Sequence, residues 1–534
     1  MLRQGSRLFP ILVSLLAAIG SAATAEASRL DLIRARGMLV VGVKTEYPPF
    51  GMLDAEGRIV GFEPDLAADL ARRLKVELRL VGVTTANRLQ KLGDGSVDVL
   101  IATLGDTDKR REIATLVEPD YYASGVNLMM RASEKIADWS ELRGRTVCTT
   151  QGAYFNRPMT QRYLLDLQIY NGTRDAKLAM RDRHCVGWLY DDTAIAGDLR
   201  SPEWQDFAMP LPSLMLSPWA IAIEKGEEGL ELDRVIGDAV AEWHRSGFLI
   251  ELERKWELKP SPYLRQAREL WSAPDGGGGF ACRRGSDGSW PDSCRDRSRV
   301  NAEAKGSLEQ FGVRIRELTG LDFTYVYDSY DRDQFLRGLL TSLALVVACV
   351  VGSIATGALG AVMLDAGLPV VTPLVAAIAT FGRMTPPLLQ IYVVVFGIGS
   401  LTARWGVTLN AFLAAVACLS LYAGSACAVA LVEAAEVIRH RSPGFRIEPR
   451  TLPQVLRQAY QPVVAALVNI VKATGMASAV AVPELISTST GIIAERGNST
   501  VMMNTLMVAY FLMVVVVIRL FDRLHRWMLT HDAA

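Results

Sequence analysis

The sequence predicts an α/β region sized for two lobes, followed by an all-α region of five membrane-crossing helices. Three observations predict it. Short apolar strands alternate with helically spaced segments between residues 37 and 258. Beyond Phe335 the text turns to long apolar runs with few charges. Residues 1–25 carry the pattern of an export signal. At 534 residues the chain is too long for one ordinary domain, and its zero formal net charge averages over two unlike halves. No Lys/Arg run or basic face stands out, so nucleic acid is not an expected partner.

At the N-terminus, Arg3 and Arg7 precede an apolar stretch from Leu8 to Ile19, and small residues follow as far as Ala23-Thr24-Ala25. That is a charged n-region, a short h-region and an A-x-A cleavage pattern. A cleaved signal peptide over 1–25 and an uncleaved anchor both fit, and either puts the next segment outside the cytoplasm. Cysteine usage agrees. Cys148, Cys185, Cys282 and Cys294 are an even set in the soluble part, where export favours disulfides. Pairs Cys148–Cys185 and Cys282–Cys294 are expected, although sequence alone leaves the pairing open. Cys349, Cys418 and Cys427 lie in apolar runs, where a thiol behaves as a small hydrophobe.

Within the soluble half, the run from Met38 to Val43 reads as a buried strand, as do Val97–Ile101 and Thr146–Cys148. Leu66, Leu70 and Leu74 have helical spacing. Such alternation implies parallel sheets covered by helices, with small ligands bound in the crevice at the strand C-termini. The segments that follow strands hold candidate chemistry: Tyr47-Pro48-Pro49-Phe50, then Thr103, Gly105 and Arg110, then Asp191-Asp192. A zwitterion needs a cation for its carboxylate and an anion for its ammonium. Arginine suits the first because its planar fork makes two charge-assisted hydrogen bonds; Asp191 suits the second.

Crossing about 30 Å of hydrocarbon takes roughly 20 apolar residues. Candidate spans are about 337–364, 370–399, 406–432, 459–482 and 500–521. The second and fourth are interrupted by proline and by Arg383 or Lys472, which must face protein, water or the interface. Arg439, Arg441, Arg446, Arg450 and Arg457 fall between spans three and four, and Arg519, Arg523 and Arg526 near the C-terminus. The opposite loops hold only Arg404 and Arg496. Positive charge therefore marks the cytoplasmic side and leaves the soluble half outside.

Several stretches match a known family. From Met38 to about Leu258 the chain resembles the family-3 extracellular solute-binding proteins, which bind polar amino acids. The matching text is G-M-L-V-V-G-V-K-T-E-Y-P-P-F, G-R-I-V-G-F-E-P-D-L-A, L-G-D-G-S-V-D-V-L-I-A-T, T-D-K-R-R-E-I-A, E-P-D-Y-Y and L-R-G-R-T-V. The resemblance implies a hinged, two-lobe periplasmic binding protein fold of type II over residues 28–260. It implies that Arg110 clamps the α-carboxylate, Tyr47 and Phe62 flank the ligand, Thr103 and Gly105 line it, and Asp191 holds the ammonium. Lys44 stands where binders of basic amino acids often carry an acid, which argues against Lys, Arg or His as ligand. The stretch ending Asn87-Arg88 looks like the binders of acidic amino acids, in which this arginine meets the side-chain carboxylate, so glutamate or aspartate is favoured. Ala153 and Tyr154 replace the threonines many relatives carry after Q-G. Residues 261–334 match no family, and Gly276–Gly279 with Cys282 and Cys294 suggest a flexible, stapled linker or insert.

Residues 335–529 resemble the membrane subunits of polar-amino-acid ABC importers. The resemblance rests on F-L-R-G-L-L-T-S-L-A-L at Phe335, R-M-T-P-P-L-L-Q at Arg383, and Leu452-Pro453-Gln454 through Asn469, Lys472, Thr474 and Glu484-Leu485. It implies a multi-pass permease domain in the bacterial cytoplasmic membrane, working as a homodimer or with another permease subunit. Glu433-Ala434-Ala435 resembles the E-A-A loop that meets an ABC ATPase, although Arg439 and His440 stand where a glycine is expected. The sequence has no G-x-x-x-x-G-K-[ST] loop, so ATP hydrolysis would come from a separate subunit. Competing readings are a membrane receptor that senses the amino acid without transport, or a ligand-gated channel; against the latter, the soluble region is unbroken and no T-V-G-Y-G filter occurs. The five histidines lack metal spacing and no nucleophile has a partner set, so no enzyme activity, metal or cofactor is expected.

Overall fold

A computed structural model describes residues 28–295, 307–319, 321–403, 405, 407–497 and 499–530. The export signal and Arg404 lie outside the described residues.

The strands, in chain order, are β1 (Met38–Lys44), β2 (Glu46–Tyr47), β3 (Gly51–Leu53), β4 (Ile59–Val60), β5 (Glu77–Val83), β6 (Val99–Leu100), β7 (Thr115–Arg131), β8 (Thr146–Thr150), β9 (Asp166–Tyr170), β10 (Gly187–Asp191), β11 (Phe207–Ala208) and β12 (Leu214–Ile223). One sheet runs in the order β5-β1-β6-β12-β7-β10-β8-β9, with β11 on β7. Parallel pairs β5-β1-β6 make the first lobe, and parallel β10-β8-β9 make the second. Between them run β7 and β12, antiparallel to each other and shared by both lobes. β7 is 17 residues long. It pairs Thr115–Val117 with β12 on the first-lobe side and Val126–Met130 with β10 in the second. Register shifts in β12 fall between Leu214 and Ser217 and between Trp219 and Ile221, where the sheet passes from lobe to lobe. The strands read as apolar runs because helices cover both faces; β1 from Leu39 onward is buried throughout.

The stretch expected to be a flexible linker is, as far as residue 295, an ordered extension of this α/β region. Leu264, Ala267 and Trp271 form the buried stripe of helix Pro262–Ser272. Trp271 stacks on His244 and meets Trp290 edge-on, with ring centroids 4.9 Å apart. Trp290 Nε1 donates to the Glu118 carbonyl at 2.9 Å. Apolar packing, which composition alone hides among glycines and charges, is what orders the segment. Disulfides join Cys148 to Cys185 and Cys282 to Cys294, while Cys349, Cys418 and Cys427 are buried free thiols.

Among the described residues, four helices are long and apolar enough to cross a membrane: Ser329–Asp365, Ala411–Arg441, Tyr460–Val480 and Ser499–Arg526. A fifth candidate is broken, and counts as one span if the bent pair crosses together. The stretch expected to be one span over 370–399 is two helices, Val371–Met384 and Pro387–Ala403, bent by 109°. Pro386 and Pro387 provide no N–H and clash with the preceding turn, so the helix breaks there. Gln390 Nε2 bridges the break by donating to the carbonyls of Gly382 and Thr385 at 2.8 and 3.1 Å. Arg383 and Lys472 both lie exposed on the outer face of the bundle rather than in its interior. Small residues let helices Ser329–Asp365 and Ala411–Arg441 approach: a Cβ on Gly357 would sit 2.7 Å from that of Cys427.

The E-A-A segment is also corrected. Glu433, Ala434 and Ala435 lie within the unbroken helix Ala411–Arg441, not in a loop. Nothing between Gly424 and Pro443 breaks the helix, and Ala434 and Ala435 pack against Ile447 and Val455 while Glu433 stays exposed.

Both lobes rest on one end of the helical bundle. Gln151 Nε2, in the second lobe, donates to the Ser487 carbonyl and to Thr490 Oγ1, each at 2.8 Å. Arg157 grips Asp328 with bonds of 3.1 and 3.0 Å, and Arg496 Nη2 reaches the same carboxylate at 2.7 Å. From the first lobe, Glu112 accepts from Arg316 at 3.0 Å. Burial would raise the Asp328 carboxyl, but Arg157 and Arg496 hold it well below the usual range. Helix Leu485–Arg496 therefore lies beneath the junction of the two lobes.

Candidate ligand-binding site

β6 delivers the chain into Ile101–Asp106, a loop that hugs the inter-strand crossing. Thr103 has a positive φ of 47°, unusual for a residue with a side chain. Arg88 holds it there, donating from Nη1 to the Ala102 carbonyl and, at 2.9 Å, to that of Thr103. Gly105 bridges to Trp219, and a Cβ on it would meet Ser217 Oγ at 2.8 Å and Arg110 Nη1 at 3.3 Å. Thr107 then caps the short helix Asp108–Arg111 by accepting from the Arg110 amide. This cap aims Arg110 back across the cleft.

The Arg110 guanidinium is 3% exposed. Nη1 donates to the Gly105 carbonyl at 2.8 Å and Nη2 to that of Gly152 at 3.1 Å, so one side chain joins the two lobes. Its fork lies 5.8 Å from the Tyr154 ring. Burial, and then the Arg88 charge, lower its pKa to about 9. Opposite, Asp191 ends β10, and its Oδ2 accepts from Tyr47 OH at 3.1 Å. Lys44 Nζ donates to Thr85 Oγ1 and, at 3.0 Å, to Tyr190 OH. Burial pushes the Asp191 carboxyl up and the Lys44 ammonium down, while their mutual attraction opposes both shifts. Glu63 accepts from the Thr103 amide at 2.6 Å and from Tyr121 OH; burial raises its carboxyl to about 8.

Around the cleft, Asp191 Oδ1, Thr103 Oγ1, Thr150 Oγ1, Trp219 Nε1 and Arg88 Nε are buried with no hydrogen-bond partner among the described residues. Each such group costs about 1–3 kcal/mol until satisfied, so the cluster is built for a polar ligand. Both an anion-binding fork and a carboxylate are present.

The structure brings Tyr47, Arg88, Thr103, Gly105, Arg110 and Asp191 together. Phe62 is displaced: it stands behind Phe50, with ring centroids 5.4 Å apart, inside the aromatic core. Tyr47 packs against Phe50, Tyr190 and Trp219, with ring centroids 5.6, 5.8 and 5.9 Å away. Sequence reasoning missed Trp219, Glu63 and Gly152. Trp219 reads as one more apolar residue of β12, and Glu63 as an ordinary acid in the first turn of a helix. Gly152, with φ of 75° and a carbonyl on Arg110, follows a strand and could have been suspected on that ground.

Residues 39–259 match the bacterial extracellular solute-binding proteins, family 3. This region is a family 3 solute-binding domain. It is 27% identical over 247 residues to the L-cystine-binding protein TcyJ of Escherichia coli strain K12, covering 46% of this chain and 91% of that protein. It is 32% identical over 137 residues to the glutamine-binding protein of Geobacillus stearothermophilus, covering 24% and 51%. It is 22% identical over 256 residues to the glutamate/aspartate import solute-binding protein of Salmonella typhimurium, covering 45% and 83%. Among solved structures, holo ArgBP from T. maritima aligns at 25% identity with a TM-score of 0.38, covering 42% of this chain and 99% of that one.

Two consequences of the family 3 cleft can be measured. Arg110→Ala should weaken amino-acid binding to the full chain by about 2–5 kcal/mol, because a buried charged clamp is lost; unchanged affinity by calorimetry would show that the clamp lies elsewhere. Glu63, with its pKa raised from 4.5 to about 8, binds a proton in the folded state that the unfolded state releases. Its contribution to stability is therefore present at pH below about 4.5 and lost as pH rises through 8. Wild type should lose more stability than Glu63→Gln between pH 5 and 8; parallel denaturation curves would contradict this.

Proposed function

We propose that this chain is an amino-acid import protein of the ABC class. Its family 3 domain captures a polar amino acid outside the cytoplasmic membrane and passes it to a permease domain on the same chain. The observation that carries the reading is the seating of both lobes on the helical half, with Gln151 on helix Leu485–Arg496, Arg157 on Asp328 at the start of helix Ser329–Asp365, and Glu112 on Arg316 of helix Ser307–Thr319, which would couple lobe closure to the bundle. The arginines of residues 439–457 gather at the far end of the bundle, where Arg439 pairs with Asp365, and this arrangement supports an outward-facing cleft.

Glutamate or aspartate is the proposed ligand. Arg110 and Arg88 put two buried cations around the cleft, and Lys44, its pKa lowered to about 7 by burial, adds a third that is only partly charged at neutral pH. Asp191 opposes them, and Glu63, raised to about 8, is largely protonated at neutral pH. A ligand with two carboxylates and one ammonium balances that set better than a neutral one. Arg88 is nevertheless bonded to backbone carbonyls, so it must be freed to reach a side-chain carboxylate, or act through its charge alone.

ATP hydrolysis would come from an ABC ATPase in trans, meeting the bundle at the end that carries exposed Glu433. A second membrane subunit, either another copy or a different one, would cover the face on which Arg383 and Lys472 stand exposed, since such charges are costly against lipid. The chain itself is read as a non-enzyme, without metal or cofactor.

One observation favours the sensing alternative: the E-A-A residues are locked in a continuous helix instead of offering a loop. Uptake decides between the two. Vesicles carrying the chain and the ATPase that co-purifies with it should accumulate labelled glutamate in an ATP-dependent way. Glutamate binding with no ATP-dependent accumulation would favour sensing.

A further inference from the structure

A second cavity, of about 430 Å³, lies between the family 3 domain and the helical bundle. Gln151 and Asn156 line it from the second lobe, Arg337 and Thr341 from helix Ser329–Asp365, and Ser487 and Glu495 from helix Leu485–Arg496. Its volume falls within the range of about 300–1,000 Å³ usual for small-molecule sites. By contrast, the space left beside Lys44 in the closed cleft is about 10 Å³.

The two spaces are separated by one turn of chain. Thr150 faces the cleft, whereas the next two residues, Gln151 and Gly152, line the cavity. The partition is backbone-thin: a Cβ on Gly152 would lie 2.8 Å from the Thr85 carbonyl oxygen of the first lobe and 2.9 Å from Ala494 Cβ. Arg110 reaches this partition, donating to the Gly152 carbonyl. It feels two carboxylates, Asp191 on the cleft side and Glu495 on the cavity side. The clamp arginine thus stands at the boundary, within the field of both spaces.

The cavity wall offers what a zwitterion requires. Arg337 supplies a cation and Glu495 a carboxyl, which burial pushes up and nearby Lys109 and Arg496 pull down, and amide and hydroxyl groups share the wall. Residues of both domains contribute, so the site exists only while the domain is docked. The geometry points to a second amino-acid site in this cavity, taking a zwitterion with its carboxylate toward Arg337 and its ammonium toward Glu495, after release from the cleft. The ligand class rests on the import reading above; the site itself does not require transport to be detected.

The test is equilibrium binding of radiolabelled glutamate, aspartate, glutamine and cystine to the full chain in nanodiscs. Wild type should show two classes of site for at least one of them. Arg110→Ala should weaken the tighter class and keep the other. Gly491→Trp, or Thr341→Trp on the facing helix, should fill the cavity, leave the tighter class in place and weaken the second at least tenfold. Retention of the tighter class reports that each plugged variant is folded. A single class or none in wild type, or two classes untouched by both plugs, overturns the proposal. Two classes without ATP-driven uptake would sink the import reading and leave the site standing; uptake with a single class would do the reverse.

Discussion

One buried guanidinium joins the two lobes. Arg110 is fixed by a four-residue helix, capped by Thr107, at the end of the loop that follows β6. Its two nitrogens hold carbonyls that belong to different lobes, Gly105 and Gly152. In a medium from which water is excluded, those charge-assisted bonds are strong, and a cation there without partners would be costly. A ligand carboxylate is the natural competitor for the same fork. If Arg110 is the ligand clamp proposed above, it would exchange backbone carbonyls for the ligand, and the exchange would alter what joins the lobes.

Around that cation the sheet supplies rigidity and a pivot together. β7 and β12 cross between the lobes as an antiparallel pair, and the register shifts in β12 fall at the crossing. The aromatic core of Tyr47, Phe50, Phe62, Tyr122 and Trp219 sits behind the cleft and fixes the first-lobe wall. Arg157 ties the second lobe to Asp328 at the start of helix Ser329–Asp365, and Glu112 ties the first lobe to Arg316 of helix Ser307–Thr319.

Much of this was legible in the residues. The alternation of apolar strands and helices, the cysteine pairs and the charged candidates after strands each rest on local patterns with a physical cause. Arg110 and Asp191 could be named because a zwitterion demands opposite charges at strand ends. What could not be read is what depends on distant packing. Phe62 stands behind Phe50 because which ring faces the cleft is decided by sheet geometry, not by spacing. Glu63 looks like a helix-start acid until burial beneath Thr103 and Tyr121 makes it a proton holder. In the second half, hydropathy marks residues 370–399 as one apolar stretch, and only the consecutive prolines at 386 and 387 warn of the 109° bend. Gly276–Gly279 suggested a loose linker, yet Trp271 and Trp290 pin the segment to the α/β region.

The measurement that tests the central claim most directly is the distance between lobes in the full chain, by paired spin labels at Arg72→Cys and Arg143→Cys. With wild-type Arg110 and its amino acid, the labels should collapse from a broad distribution to one narrow short distance, and the Arg110→Ala background should abolish that collapse. The same distribution with and without ligand, or a collapse that survives loss of the guanidinium, would contradict the account.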